Sequence, residues 1–409
     1  MRRSFRSVQR LRSALRYAVV GVAGTALFVG AGALAQSPSP QPAFTLHKDA
    51  FGIAPGAGFF LNPAKLDRGL TDFRALGVHW IRSVIPWKNF QPNDPTTSGA
   101  DSYNWKSVDG FVATMHQPEN VGRFELIVTI ESPPPWAAQP SRIAPVACPG
   151  TLPFDLQSYA AASAALAEHL RGTASVFELE NSPNISPKGS TNGTGDGLWP
   201  SPNPCGYTQL LKKTYAAIKQ VRPDATVLVG GIGGVRDNTG RMAADTFLAA
   251  LYANGARGSF DGVSYHPYSN PNLPCSSADA VCTFSSVTSR KDLYGMKNGW
   301  NRMLNARSIM VANGDSAKKI WMTEYGGPTN GPAGGSHVLT EAEQATLLIA
   351  GYARNSQYSW AGPLCWFTWQ DEGVNPATDP GGDWMGLVRP DYSPKPAFSA
   401  YQRLTQMAI

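Results

Sequence analysis

Along the chain, short apolar runs alternate with longer stretches whose apolar residues recur every three or four positions. That alternation predicts parallel βα units. The predicted strands are Phe51–Ala54, Val78–Ile85, Phe124–Ile130, Val176–Leu179, Thr226–Val229, Gly262–Tyr265, Ile320–Thr323 and Leu364–Trp369. Between and after them come helical stretches at Pro63–Leu76, Trp105–Met115, Leu156–Leu170, Tyr207–Val221, Thr246–Asn254, Tyr294–Ala312, Thr340–Asn355 and Lys395–Met407. The first has Asn62 as cap and Pro63 at its first position; the seventh opens on a Thr340–Glu343 capping box. Eight pairs over about 360 residues average ~45 per unit, the size of one α/β domain, a (β/α)8 TIM barrel with long βα loops, over residues 51–409.

The N-terminus breaks this rhythm. Six arginines fall within the first sixteen residues, an apolar run follows from Tyr17 to Leu34, and Ala33-Leu34-Ala35 closes it. Residues 1–35 are therefore expected to be an export signal, faintly twin-arginine-like at Arg2-Arg3, followed by a polar linker over 36–50. A weakly hydrophobic membrane anchor is the alternative. Cleavage changes the charge: of 35 basic residues six lie in the signal, leaving 29 against 29 acidic ones. The formal net charge of +6 then vanishes, and with it any draw towards nucleic acid or an anionic membrane. The expected location is outside the cytoplasm, secreted or in the periplasm or cell envelope, with no stable membrane insertion after signal cleavage.

Export also bears on the five cysteines. Cys275 and Cys282, in one Pro/Ser/Ala loop, are expected to pair, and Cys148 with Cys205 offers a second bridge; Cys365, inside an apolar strand, reads as a buried free thiol. No cysteine or histidine spacing resembles a zinc site, so neither metal nor other cofactor is expected. Oligomeric state leaves no trace in the sequence.

In such barrels the chemistry sits at the C-terminal ends of the strands. Strand seven ends in Trp321-Met322-Thr323-Glu324-Tyr325-Gly326, a carboxylate at the barrel mouth. Strand four ends in Phe177-Glu178-Leu179-Glu180-Asn181-Ser182-Pro183-Asn184. Together these resemble the nucleophile and Asn-Glu-Pro-Asn motifs of clan A glycoside hydrolases, with Ser182 where the acid/base glutamate would stand. Leu76-Gly77-Val78-His79-Trp80-Ile81-Arg82, Trp105 with Asp109, Tyr265-His266-Pro267-Tyr268 and Lys395-Pro396-Ala397-Phe398 extend the resemblance across 51–409, towards family 39 first and family 5 cellulases second. It implies a glycosidase acting on a poly- or oligosaccharide by a retaining mechanism. Glu324 would be the nucleophile, Arg82 would hold it ionised, Asn181 would bind a sugar hydroxyl, His266 or Tyr268 would steady Glu324, and Trp366 or Trp369 would stack under the sugar.

A serine cannot supply the proton that a glutamate would. Side chains of a strand alternate, so Glu180 is expected on the same face as Ser182 and one layer deeper, the first candidate to replace the missing acid. Glu131, at the mouth of strand three, and Glu372, after strand eight, are the others. Without a replacement, the alternatives are a catalytically impaired barrel that binds glycan, or a transglycosidase. Gly230–Gly234 reads as a flexible loop, and residues 182–201, rich in Gly, Ser, Asn and Pro, as a flap over the cleft.

Overall fold

The computed structural model describes residues 45–409 except 57, 142, 144–145, 188–197, 275–281, 284–298 and 332–337. The expected export signal, most of the linker, the Cys275–Cys282 pairing and the centre of the expected flap lie outside the described residues.

Eight parallel strands close into a barrel: β1 (Phe51–Ala54), β2 (Trp80–Pro86), β3 (Glu125–Glu131), β4 (Val176–Asn181), β5 (Thr226–Gly233), β6 (Gly262–His266), β7 (Ile320–Tyr325) and β8 (Ala361–Phe367). Each strand pairs with the next, and β8 closes on β1 through Phe51–Leu364 to Ala54–Phe367. Around them run α1 (Pro63–Leu76), α2 (Lys106–Met115), α3 (Leu156–His169), α4 (Pro204–Val221), α5 (Ala244–Ala253), α6 (Gly299–Ala312), α7 (Glu341–Asn355) and α8 (Pro396–Met407). The alternation of apolar runs thus becomes the expected (β/α)8 barrel. No helix among the described residues is long and apolar enough to cross a membrane.

The end signals work as their chemistry requires. The Asn62 side chain accepts from the Lys65 amide, and Gly77 closes α1 in the left-handed region at φ 71°. Thr340 and Glu343 form the reciprocal capping box of α7. Cys148 and Cys205 are bridged, tying the β3–α3 connection to the first turn of α4, while Cys365 is a buried free thiol.

Two cores result from the period-two alternation of the strands. Ala54, Ile127, Val176, Leu228 and Cys365 fill the barrel, with Trp80, Trp321 and Phe367 against them. Their sequence neighbours Ile53, Leu126, Phe177, Val229 and Trp366 face the helices.

Three strands break the alternation near their C-terminal ends. On β7, Met322 lies level with Leu364 but Tyr325 with Trp366, so β7 carries one extra residue. β5 carries another, with Val229 level with Val263 and Ile232 with Tyr265. On β4 the break falls at Glu180, whose φ is 70°. The β4 and β5 irregularities run in step, because Leu179 pairs with Val229 and Asn181 with Gly231. Gly230 is needed there: a Cβ would come within 2.3 Å of the Leu179 carbonyl oxygen and 2.4 Å of that of Glu180. The Tyr207 hydroxyl of α4 fills the interrupted ladder, donating to the Leu179 carbonyl at 2.6 Å and accepting from the Gly230 amide at 2.6 Å. The Gly-rich segment expected to be a flexible loop is therefore buried strand through Gly233.

Candidate active site

Arg82 organises the barrel mouth. Unbroken alternation on β2 turns Trp80, Arg82 and Val84 inward. The guanidinium donates through Nη1 to Glu324 Oε1 at 2.7 Å and through Nη2 to Asn181 Oδ1 at 2.8 Å. Its Nε and Nη2 also reach Glu178 Oε1, at 3.0 and 2.5 Å. Glu178 is fully buried and accepts in addition from Thr129 Oγ1 at 3.1 Å and Ser264 Oγ at 2.5 Å. One cation thus serves two carboxylates, and they fare differently. Burial pushes Glu178 up, but the charge and hydrogen bonds of Arg82 outweigh it and hold this carboxyl below its usual range. For Glu324 burial prevails over Arg82 and Tyr268, and the carboxyl sits above its usual range. The expected bond from Arg82 to Glu324 is present, but the guanidinium is shared with Glu178 and does not bring Glu324 below its usual range.

The β7 bulge brings Glu324 here. Strict alternation would send it outward with Met322; one extra residue turns its carboxylate into the mouth, as bulges near functional sites do. Its Oε2 accepts from the Tyr268 hydroxyl at 3.0 Å and lies 3.4 Å from His266 Nδ1. Burial, and then Arg82, push His266 down to about 3, so its ring is neutral. Glycine at 231 makes room for it, since a Cβ there would stand 2.1 Å from His266 Nε2.

Above this cluster opens a cleft of about 370 Å3. Arg82, Asn181, Ser182, His266, Tyr268 and Glu324 all line it, as do Glu131 and Glu372. Phe367 and Asp383 line it too, and neither stood out in the sequence. Phe367 was legible in principle, being two residues beyond the inward Cys365. Asp383 sits on the long β8–α8 connection and has no such pattern; burial and then Glu372 push its carboxyl up. Glu372 is paired with Lys65. A buried Lys395–Asp371 ion pair at 2.7 Å anchors this connection, with Lys395 also donating to Thr329 Oγ1 at 2.7 Å. Among the described residues no cluster of His, Cys, Asp and Glu is arranged to hold a metal ion.

Three expected site residues stand elsewhere. Glu180 is fully buried and does not line the cleft. Glu178 and Asn181 both face inward, so the residue between them that breaks the alternation, Glu180, cannot share the face of Ser182 as expected. Its carboxyl oxygens have no hydrogen-bond partner, and burial, with Glu131 adding to it, pushes its pKa well up. Trp366 and Trp369 are fully buried as well. Trp366 lies on the outer face of β8 and donates to the Met385 carbonyl at 3.1 Å; Trp369 donates to Asp72 at 3.0 Å. Neither forms a stacking floor; they are core residues with satisfied indole N–H groups. Of the expected flap, the start is fastened: the Asn184 amide donates to the Gly233 and Met242 carbonyls, each at 2.9 Å.

No family model matches the chain, and no curated protein matches it. Solved structures do. A family 39 glycoside hydrolase from Bacteroides cellulosilyticus WH2 superposes with a TM-score of 0.59 at 22% identity, over 88% of this chain and 64% of that one. The barrel is a family 39-like glycoside hydrolase fold. A monomeric β-xylosidase from Caulobacter crescentus CB15 matches at 0.58 with 16% identity, over 88% of this chain and 69% of that one. A GH5_18 protein from Streptomyces cattleya in complex with GlcNAc gives 0.57 at 16% identity, over 88% and 80%. The chain therefore spans a little under two thirds of the length of the first of these.

Proposed function

We propose that this chain is an exported glycoside hydrolase that cleaves O-glycosidic bonds of a poly- or oligosaccharide, with Glu324 as the nucleophile of a retaining mechanism. The observation that carries this reading is the Glu324 carboxylate, turned into an open cleft by the β7 bulge and bonded by Arg82 and Tyr268. Attack by Glu324 on the anomeric carbon would form a glycosyl ester while the leaving oxygen takes a proton; water would then release the sugar. Tyr268 and Arg82 orient the carboxylate so that one lone pair faces the cleft. Because burial raises Glu324, the acid limb of the activity profile is expected above the usual carboxylate range. Asn181, held by Arg82, would meet a hydroxyl next to the reacting carbon.

Ser182 favours a second reading. With no carboxylate at the end of β4, the cleft would hold glycan without cutting it, or serve transfer from activated donors. Structures similar to this one include a β-xylosidase, an exo-β-1,4-mannosidase and a glucosidase, which makes xylosides, mannosides and glucosides the first sugars to test. Incubation with their 2-deoxy-2-fluoroglycosyl fluorides, followed by peptide mass spectrometry, is expected to place one fluorosugar on Glu324. No adduct with any of them, together with no cleavage of the matching 2,4-dinitrophenyl glycosides, would leave glycan binding as the function.

A further inference from the structure

We infer that Glu131, at the end of β3, donates and recovers the proton that the family motif would assign to position 182; this deepens the hydrolase reading above and rests on it. Among the described residues four carboxylates line the cleft: Glu131, Glu324, Glu372 and Asp383. Glu324 is committed to Arg82 and Tyr268. Glu372 is ion-paired with Lys65, and it and Asp383 share the connection after β8, the strand next to β7. Glu372 also lies beside Gly56 after β1, so these two come from the β8–β1 side and not from across the barrel. β3 lies four places round the barrel from β7, directly opposite, and is hydrogen-bonded to β4. A proton donor has to face the nucleophile across the sugar, and among the described residues Glu131 is the cleft carboxylate on that side.

Alternation on β3 is unbroken. Leu126, Val128 and Ile130 join the outer core, so Glu131 follows Ile127 and Thr129 inward. The last β3–β4 register pair is Ile130 with Leu179, so Glu131, still level with Pro86 of β2, stands beyond the β3–β4 pairing at the kink that carries Asn181 and Ser182. The strand end is held: the Tyr159 hydroxyl donates to the Ile130 carbonyl at 2.7 Å, and the Lys88 amide donates to the Ser132 carbonyl at 3.0 Å. Left-handed backbone at non-glycine residues concentrates here, at Ser132 (φ 58°), Glu180 (70°) and Ser182 (47°). Such geometry persists where the surrounding structure enforces it, often at functional sites.

In the reaction, the Glu131 carboxylic acid protonates the glycosidic oxygen as its bond to the anomeric carbon breaks and Glu324 bonds to that carbon. The Glu131 carboxylate then takes a proton from water as the water oxygen displaces Glu324, and both residues return to their starting forms.

The test compares wild type, Glu131→Gln and Glu324→Gln on 2,4-dinitrophenyl glycosides, which leave without protonation, and on the matching alkyl glycosides, which do not. Glu131→Gln is expected to form the glycosyl ester from the dinitrophenyl substrate within about tenfold of wild type, while losing roughly 10²–10⁴-fold on the alkyl one. The alkaline limb of its kcat/KM profile should disappear, and azide should restore turnover and yield a glycosyl azide. Wild-type rates on both substrates in Glu131→Gln, or equal losses on both without azide rescue, would overturn the assignment. Should the amide variant fail to fold, Glu131→Asp is expected to show the same selective loss on the alkyl substrate. Labelling of Glu324 in wild type separates the two failures: a labelled enzyme indifferent to Glu131 sinks only this inference, whereas no label and no cleavage sinks the hydrolase reading beneath it.

Discussion

The ends of β4 and β7 are built by the same device and reach opposite results. Each departs from strict alternation just before the barrel mouth. On β7 the departure turns Glu324 into the cleft, where a guanidinium and a phenol meet it. On β4 it takes Glu180 out of the cleft lining, where both oxygens go unpartnered. Electrostatics follows geometry. Glu324 keeps bonds that favour its ionised form, whereas nothing offsets the desolvation of Glu180. A glutamate near the end of a barrel strand thus comes to face the cleft or to lie buried without a partner according to where the alternation breaks.

The sharpest way to break the contrast is to remove what β7 has and β4 lacks. Arg82→Met leaves Glu178 buried beside no cation, and losing one partner of such a pair typically costs about 3–5 kcal/mol. Urea unfolding should show that loss at neutral pH, and any residual activity should have its acid limb moved to higher pH. A variant as stable as wild type would mean that Arg82 does not carry the buried pair.

A smaller change is expected at Glu180, in the opposite direction. The folded state raises its pKa, so the stability contributed by its protonated form is complete below about 4.5 and is lost as pH rises towards the folded value. Glu180→Met, similar in volume and without oxygens to satisfy, is expected to be more stable than wild type at neutral pH by about 1–3 kcal/mol. That advantage should shrink below pH 4.5 to the pH-independent part that comes from the unpartnered oxygens. Paired unfolding curves at pH 7 and pH 4 check this, and an advantage that ignores pH would show that Glu180 is not buried as an acid. The smallest effect belongs to Tyr268→Phe. It removes one hydrogen bond to Glu324 Oε2, of about 1 kcal/mol, and so should lower kcat/KM by roughly fivefold with the fold unchanged.

What the sequence revealed follows from which periodicities held. The barrel was legible because the strand and helix periods persist through every βα unit, and Asn62, Pro63 and the Thr340–Glu343 box mark helix starts by local chemistry alone. Arg82, His266 and Glu131 were legible as inward residues because β2, β6 and β3 keep their alternation. Glu180 was misplaced because a bulge is invisible to a count of two, and its sign, Gly230 packed against β4, depends on a contact between strands far apart in sequence. Trp366 and Trp369 were misread because an indole suits a sugar and a core equally well, and only Phe367 stands on the inward register. The role of Glu178 was hidden in plain view: its partners Arg82, Thr129 and Ser264 come from three other strands.

Gly231 sets a boundary on how this protein can drift. Alanine adds only a methyl group, yet that methyl would occupy the place of the His266 imidazole. A randomised library at this codon, selected for function, should return glycine almost alone, while the neighbouring helix surfaces tolerate wide variation. The pocket's tolerance to change is thus limited by a residue that has no side chain at all.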